Sequence, residues 1–187
     1  MPLNPFQRGS DPYMLIVGMT GVKLGEQVAQ LGCAHGGRLA AVAKRVGLTG
    51  RALAVVPDEA SASRARRGAA DAGVLVDVEI APPTQVPADA ATFDLVIVDD
   101  TGGLLSGRAR DDCAAAVREI MRILRPGGRV LVVGAAARGA LRRLWGSRNP
   151  PSVDPEPWLQ ADGFKSVRKL AERDGLAFVE GLKPRTS

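Results

Sequence analysis

The chain has 187 residues, of which 45% are apolar and 24% are charged, a composition ordinary for one globular domain with a sizeable core. Its net charge of +5 would suit nucleic acid, yet two Trp, one Tyr and four Phe are too few to build a single-strand stacking platform. No apolar run reaches the roughly 18–20 residues that span a bilayer.

The two cysteines and the N-terminus bear on the cellular compartment. Cys33 and Cys113 fall in a predicted turn and a predicted helix, without the spacing of a disulfide framework or a metal site. This pattern favours a reducing compartment. Residues 1–6 lack a basic region followed by an apolar one, so no signal peptide is expected. We therefore expect a cytoplasmic protein. We expect it to bind a small molecule and to bind neither nucleic acid nor a membrane.

The predicted elements alternate between strands and helices after an irregular arm over residues 1–10. Ser10-Asp11-Pro12 predicts the start of a short apolar helix that runs to Met19, because a capping residue and a first-turn proline stand there. In this helix, Tyr13 would pack against the sheet edge or cover a ligand. The strands that follow are predicted over 26–31, 52–56, 74–80, 93–98, 130–133, 165–171 and 175–182, and the helices over 36–47, 59–72, 109–125 and 158–163.

The patterns within these elements predict how they pack. The helix over 59–72 has an inner face of alanines and an outer face that carries Arg64, Arg66 and Arg67. The last two strands are joined by Asp174-Gly175, a turn pair typical of β-hairpins. Strands that alternate with helices predict a parallel sheet with right-handed crossovers. We therefore predict a single three-layer α/β domain spanning the chain, with a mainly parallel sheet and an antiparallel C-terminal hairpin.

The most informative segment is a strand, a turn of small residues and a helix, which begins at Glu26. Glycine lets the backbone approach a ligand closely, and the start of a helix offers unpaired N–H donors. The turn, Gln30-Leu31-Gly32-Cys33-Ala34-His35-Gly36, resembles motif I of class I S-adenosylmethionine (SAM)-dependent methyltransferases. Three further segments resemble parts of that family. Residues 93–99 resemble its fourth strand, and residues 118–133 resemble its helix D, Pro-Gly-Gly turn and fifth strand. Residues 159–164 resemble its C-terminal end.

The resemblance implies a Rossmann-like, seven-stranded sheet with SAM across the carboxyl ends of strands one and two. In that family one acid begins motif I, another ends strand two and a third follows strand three, where this chain has Gln30, Val56 and Pro82. Ala34 replaces the second glycine, and Asp58 stands two residues beyond the missing strand-two acid, where it could take over the ribose contact. We therefore predict weak SAM binding. The predicted binding residues are Gln30, Gly32, Cys33, Ala34, His35, Gly36, Val56, Asp58 and Pro82.

Asp99 and Asp100 are the candidate catalytic residues. They end the fourth predicted strand, where open α/β sheets place active-site residues, and the resemblance puts the methyl acceptor there. Their alternative role is a turn bond within residues 99–103. The sole histidine, His35, could act as a base or a donor, or be a partly exposed turn residue. Cys33 is expected to fill space, and no ligand set predicts a metal site.

Three functions remain open. The first is a SAM-dependent methyltransferase of a small molecule, because few residues after strand five are left to form an acceptor-binding domain. The acceptor side would then come from residues 1–10, 100–108 and 135–157, or from the second subunit of a homodimer. The second is a non-catalytic methyltransferase-like module, which shares the fold and explains the missing acids. The third is a nicotinamide-binding Rossmann protein, because Gly32-x-Ala34-x-x-Gly37 satisfies a variant dinucleotide fingerprint.

Overall fold

The computed structural model describes residues 13–136 and 154–185. The predicted arm, the helix start at 10–12 and most of the 135–157 stretch lie outside the described residues. The strands are β1 (Gln27–Leu31), β2 (Arg51–Val56), β3 (Asp77–Ile80), β4 (Phe93–Asp99), β5 (Leu124–Ala135), β6 (Lys165–Arg173) and β7 (Leu176–Leu182). The helices are α1 (Met14–Thr20), α2 (Gly36–Val46), α3 (Glu59–Ala72), α4 (Arg110–Ile123) and α5 (Glu156–Ala161), with a 3-10 turn over Asp100–Gly102. Among the described helices, none has the length and apolar character needed to cross a membrane.

The described strands form one seven-stranded sheet in the order β3-β2-β1-β4-β5-β7-β6. Strands β1 to β5 are parallel, so that Gln30 of β1 lies between Ala54 of β2 and Ile97 of β4. β7 runs antiparallel to β5 and pairs with β6 in the C-terminal hairpin. The predicted α/β class, the mainly parallel sheet and the antiparallel hairpin are therefore confirmed.

Helices cover both faces of the sheet, because side chains alternate between the faces along each strand. In β4, Leu95 and Ile97 pack with apolar residues of α1 and α2. Val96 and Val98 point the other way and pack with α4 and α5. The alanines of α3 pack on β2 and complete the first layer. The result is the predicted three-layer arrangement.

Two strands begin more than one residue away from their predicted starts. β3 begins at Asp77, three residues later than expected, because Gly73 ends α3 with φ of +63° and the following residues lead the chain away from the helix. β5 begins at Leu124, and the predicted turn over 125–128 is a bulge within it, opposite the single residue Asp94 of β4. Both differences arise from how neighbouring elements join, and neither changes the sheet order.

The parallel strands place one edge of the sheet at the candidate site. Because β1 to β5 run in the same direction, their carboxyl ends meet at that edge, which is where open α/β sheets bind ligands. Their last residues are Leu31, Val56, Ile80, Asp99 and Ala135.

Candidate functional site

The turn after β1 is shaped by its contact with β4. Gly32 has φ of +80°, and a Cβ on this residue would lie 2.9 Å from Asp99 O and 3.0 Å from Leu104 Cδ2. The Gly32 N–H donates to Val55 O of β2 at 2.8 Å. Glycine is therefore required here by the close approach of the protein's own strands.

Gln30 contributes a buried hydrogen-bond acceptor without a partner. The residue is 2% exposed; its Nε2 donates to Gly32 O at 3.0 Å, and its Oε1 accepts no hydrogen bond within the described chain. Buried polar atoms nearly always have a partner, and leaving one without costs about 1–3 kcal/mol. A ligand that donates a hydrogen bond, such as the ammonium group of SAM, fits this atom.

Asp99 ties the end of β4 to the turn after β1. Its Oδ2 accepts from Ala34 N at 2.9 Å, and its Oδ1 accepts from Thr101 Oγ1 at 2.6 Å. Arg38 of α2 donates from Nη1 to Thr101 Oγ1 at 3.1 Å and lies 3.8 Å from Asp99 Oδ1. We call these four residues the Asp99 cluster. The cluster joins Arg38 to Thr101, which are 63 positions apart in the sequence, and Ala34 to Asp99, which are 65 positions apart. It therefore holds the turn after β1 and the loop after β4 together as one unit.

Asp100 shapes the loop that follows β4. The residue is buried, and its Oδ1 accepts from Leu105 N at 2.6 Å and from Ser106 N at 3.1 Å. The carbonyl of Leu105 in turn accepts from the Cys113 thiol, whose pKa is raised by burial. Both predicted carboxylates thus lie at the site edge and both bond to neighbouring turns. Their role toward a methyl acceptor stays a prediction.

The ends of β2 and β3 supply fewer polar groups than the ends of β1 and β4. Val56 is fully buried and Pro82 is exposed. Asp58 is the N-cap of α3, where its Oδ1 accepts from Ser61 N at 2.7 Å, and this bond lowers the pKa of the Asp58 carboxyl group. The carboxylate offered for a ribose contact is therefore engaged at a helix end. Its contact with a ribose stays a prediction.

Helix α3 packs closely on the start of α2. A Cβ on Gly36 would collide with Arg64 O and lie 3.2 Å from Gly68 Cα, so glycine permits this approach. Arg64 Nη1 donates to Cys33 O in the turn after β1. Arg64 is exposed, as its predicted place on the outer face of the helix requires, but its guanidinium turns back to this backbone carbonyl. The cause is the close approach of the two helices, which brings Arg64 within reach of the turn.

Tyr13 and His35 lie together beside the start of α2. Their ring centroids are 5.5 Å apart and the rings are tilted by 57°. A Cβ on Gly37 would collide with the Tyr13 ring. Tyr13 therefore covers the first turn of α2 at the candidate site, while His35 is exposed.

Cys33 is a buried thiol in the same turn. It is 3% exposed, and burial, with a smaller effect of the Asp99 carboxylate, raises the pKa of its thiol to about 11. Such a thiol is protonated at neutral pH, which suits a space-filling role rather than a nucleophile. Within residues 13–136 and 154–185, no three His, Cys, Asp or Glu side chains are grouped to hold a metal ion.

Two residues of the site, Arg38 and Arg64, were not predicted from the sequence, and Thr101 was expected only in a turn bond within residues 99–103. Arg38 and Thr101 had a local signal, since the first lies in the opening turn of α2 and the second directly follows the two aspartates. The contact of Arg64 with Cys33 O had none, because the helical period of α3 predicts only that Arg64 is exposed, which it is. Its position depends on how two helices pack, which a local pattern does not encode.

The sequence of this chain is similar to known methyltransferases. A family model described as "Methyltransferase domain" matches residues 28–128. The ubiquinone/menaquinone biosynthesis C-methyltransferase UbiE of Chromobacterium violaceum is 31% identical over 114 residues, which cover 61% of this chain and 45% of that protein. The protein of the same description from Idiomarina loihiensis is 29% identical over 116 residues and is covered to 44%. This chain thus spans less than half the length of these two relatives.

The fold is also shared with solved structures. A SAM-dependent methyltransferase from Aquifex aeolicus matches with a TM-score of 0.74 at 18% identity, over 91% of this chain and 89% of that one. A structure described as the [4+2]-cyclase SpnF matches with a TM-score of 0.71 at 17% identity, over 93% of this chain and 80% of that one. At these identities the likeness shows the fold, and a shared fold does not by itself set the chemistry.

Proposed function

This chain belongs to the class I SAM-dependent methyltransferase family, and we propose that it binds SAM in the turn after β1 and transfers the methyl group to a small-molecule acceptor. The observation that carries this proposal is the buried Oε1 of Gln30, which has no hydrogen-bond partner among the described residues. An ammonium group of a ligand would satisfy this atom. The proposal therefore accounts for a polar atom that the fold alone leaves unsatisfied.

In this proposal the residues of the chain hold and orient the reactants. When bound, SAM supplies a methyl group attached to a positively charged sulfur. Gln30 would accept from the ammonium group, and the Asp99 cluster would keep the turn and the β4 loop at a fixed separation. Holding two reactants in a reactive geometry is a large contribution to rate. We place the acceptor beside Asp99 and Asp100, at the same edge of the sheet.

We expect the affinity for SAM to be low. Val56 and Pro82 stand where the family has acids that contact the ribose and the adenine, and Asp58 is engaged as a helix cap. Each missing hydrogen bond to a charged group costs about 1.5–3 kcal/mol, which is roughly a ten- to hundredfold loss of affinity. Contacts with backbone groups of residues 30–37 would supply much of the remaining affinity.

The acceptor and the compartment belong to the same proposal. The curated relatives are described as C-methyltransferases of ubiquinone and menaquinone biosynthesis, so a hydroquinone ring is the first acceptor to assay. Cys33 and Cys113 are both free and buried, which supports a reducing cytoplasm. We propose that the protein binds a small molecule and binds neither nucleic acid nor a membrane. We also propose a homodimer in which the second subunit completes the acceptor side of the site.

Ligand binding is the decisive measurement. We propose titration calorimetry and thermal unfolding of the whole chain with SAM, S-adenosylhomocysteine (SAH) and NAD. A ligand at 100 times its dissociation constant stabilises the folded state by about 2.7 kcal/mol. We expect SAM and SAH to raise the unfolding temperature. We also expect Gln30→Leu to weaken both while the variant stays folded, because it removes the unpartnered acceptor and only one hydrogen bond within the protein, that to Gly32 O.

The other outcomes identify the alternatives. A response to NAD alone would support the nicotinamide-binding protein. No response to any of the three ligands at millimolar concentration would contradict the proposed enzyme and favour a non-catalytic module. That second candidate has one observation of its own, since Asp99, Asp100 and Asp58 are all bonded to the protein's own turns and caps.

A further inference from the structure

Arg64 and Arg66 lie on the same helix but make different contacts. Arg66 is exposed and pairs with Glu59 of the same helix at 2.8 Å. The guanidinium of Arg64 instead reaches the turn after β1 and donates to Cys33 O. One arginine of α3 is therefore part of the candidate site, and the other offers a matched reference on the same helix.

The approach of α3 to α2 places Arg64 at the turn. A Cβ on Gly68 would lie 2.5 Å from Gly36 O, so the two backbones are in direct contact. Arg64 precedes Gly68 by four residues and shares its face of the helix. The same contact that brings the backbones together thus brings the guanidinium over Cys33.

Two hydrogen-bond acceptors of the turn are already used by the protein, and the acceptor on Gln30 has no partner among the described residues. Gly32 O accepts from Gln30 Nε2, and Cys33 O accepts from Arg64. Gln30 Oε1 accepts from no described residue. An ammonium group has three N–H donors and needs several acceptors. Near this turn it finds one buried acceptor without a partner among the described residues, and the carbonyl of Cys33, which another cation already uses.

We propose that Arg64 is a specificity-determining residue that competes with the cationic end of the cofactor for the turn after β1. The inference rests on the proposed function. Two cations repel at the distance at which they would share one carbonyl, so binding requires the guanidinium to leave Cys33 O. Arg64 is exposed and can move into solvent. Because SAM carries one more positive charge than SAH, Arg64 disfavours SAM more strongly than SAH.

Calorimetric titration of three variants tests this inference. We propose to measure the affinities of SAM and SAH for the wild-type chain, Arg64→Met, Arg64→Gln and the reference Arg66→Met. Arg64→Met keeps much of the length of the side chain without the charge, and Arg64→Gln also keeps a donor. We expect both Arg64 variants to bind SAM about tenfold more tightly, which corresponds to about 1.4 kcal/mol, with a smaller gain for SAH. Arg66→Met should bind as the wild type does.

Each outcome of this experiment supports or overturns the inference. Unchanged SAM affinity in the Arg64 variants, beside measurable binding by the wild type, overturns the inference and leaves the proposed function standing. Weaker binding overturns it as well and assigns Arg64 to the cofactor's carboxylate. Binding by neither the wild type nor folded Arg64 variants at millimolar SAM overturns the inference and the proposed function together. Thermal unfolding of each variant without ligand shows that it is folded.

Discussion

The two halves of the site edge differ in how their polar groups are used. At the ends of β1 and β4, the Asp99 cluster connects residues that are far apart in the sequence, and Asp100 bonds to backbone N–H groups of its own loop. At the ends of β2 and β3, Val56 is buried and apolar, Pro82 is exposed, and Asp58 caps its own helix. The first half is polar and cross-linked by hydrogen bonds, whereas the second half offers few polar groups to a ribose or an adenine.

This difference indicates where ligand affinity and fold stability come from. In the first half the same residues serve both, because Asp99 holds Ala34 of the turn that would bind the ligand. In the second half Val56 belongs to the buried core and Asp58 caps α3, whereas Pro82 is exposed. A change at Asp99 should therefore alter stability and binding together, and a change at the exposed Pro82 should alter binding with little effect on stability.

The largest effect is expected at Asp99. Asp99→Ala removes the acceptor for Ala34 N and Thr101 Oγ1 and leaves Arg38 without its counter-ion. Because a hydrogen bond to a charged group contributes about 1.5–3 kcal/mol, we expect the free energy of unfolding to fall by about 3 kcal/mol. Urea denaturation at pH 7 measures it. Asp58→Ala, which removes an exposed cap, is the control and should lose less; equal losses would contradict the contrast between the halves.

The pH dependence of stability should reveal the buried thiol of Cys33. The pKa of this thiol is raised from 9.0 to about 11 in the folded chain, so the folded state holds its proton where the unfolded state releases it. The resulting stability is fully present below pH 9 and is lost as the pH rises toward 11. One pKa unit is worth about 1.4 kcal/mol, so the loss should reach about 2 kcal/mol by pH 10.5. Denaturation at pH 8 and at pH 10.5 measures it.

Cys33→Ala provides the control for this pH dependence. Lysines also titrate in this range, but the variant keeps them all and lacks only the thiol at this position. We expect the fall in stability between the two pH values to be smaller in Cys33→Ala than in the wild type. The same fall in both proteins would show that the Cys33 thiol is not the source.

Gly36→Ala tests the contact between α2 and α3. The added methyl group would collide with Arg64 O, and overpacking of this kind costs about 1–3 kcal/mol. Gly18→Ala is the reference, because no atom lies within 4 Å of its added Cβ. In a helix this exchange favours the folded state by about 0.5–1 kcal/mol. We expect opposite signs in thermal or urea denaturation, and a neutral Gly36→Ala would show that the helices can separate at little cost.

The smallest effect on stability is expected in the second half of the site. Pro82→Asp would place a carboxylate where the family has one, and the residue is exposed in this chain. We expect SAM to bind about tenfold more tightly, equivalent to about 1.4 kcal/mol, with little change in unfolding. Pro87→Asp puts the same charge at another exposed position of the loop. An equal gain from both variants would mean that charge alone, and not position, improves binding.

The sequence predicted the architecture well because its signals are local. Each of these signals is carried by residues that are close together in the sequence. They are the alternating strand and helix periods, the turn at Asp174-Gly175 and the motif after β1. The misplaced starts of β3 and β5 occur where Gly73 and the 125–128 bulge join neighbouring elements. The candidate site was predicted in the same way, since the turn after β1 and the two aspartates at the end of β4 are local features.

The use of each polar group in the site was decided by the tertiary structure. The bond from Arg64 to Cys33 O joins residues 31 positions apart, and the bond from Ala34 N to Asp99 joins residues 65 positions apart. Short-range periodicity carries no information over such separations. The sequence by itself therefore determined the fold class and the edge of the sheet where a ligand would lie. Only the packing of α3 on α2 and of β4 beside β1 decided which acceptors are taken and that Gln30 Oε1 is left open.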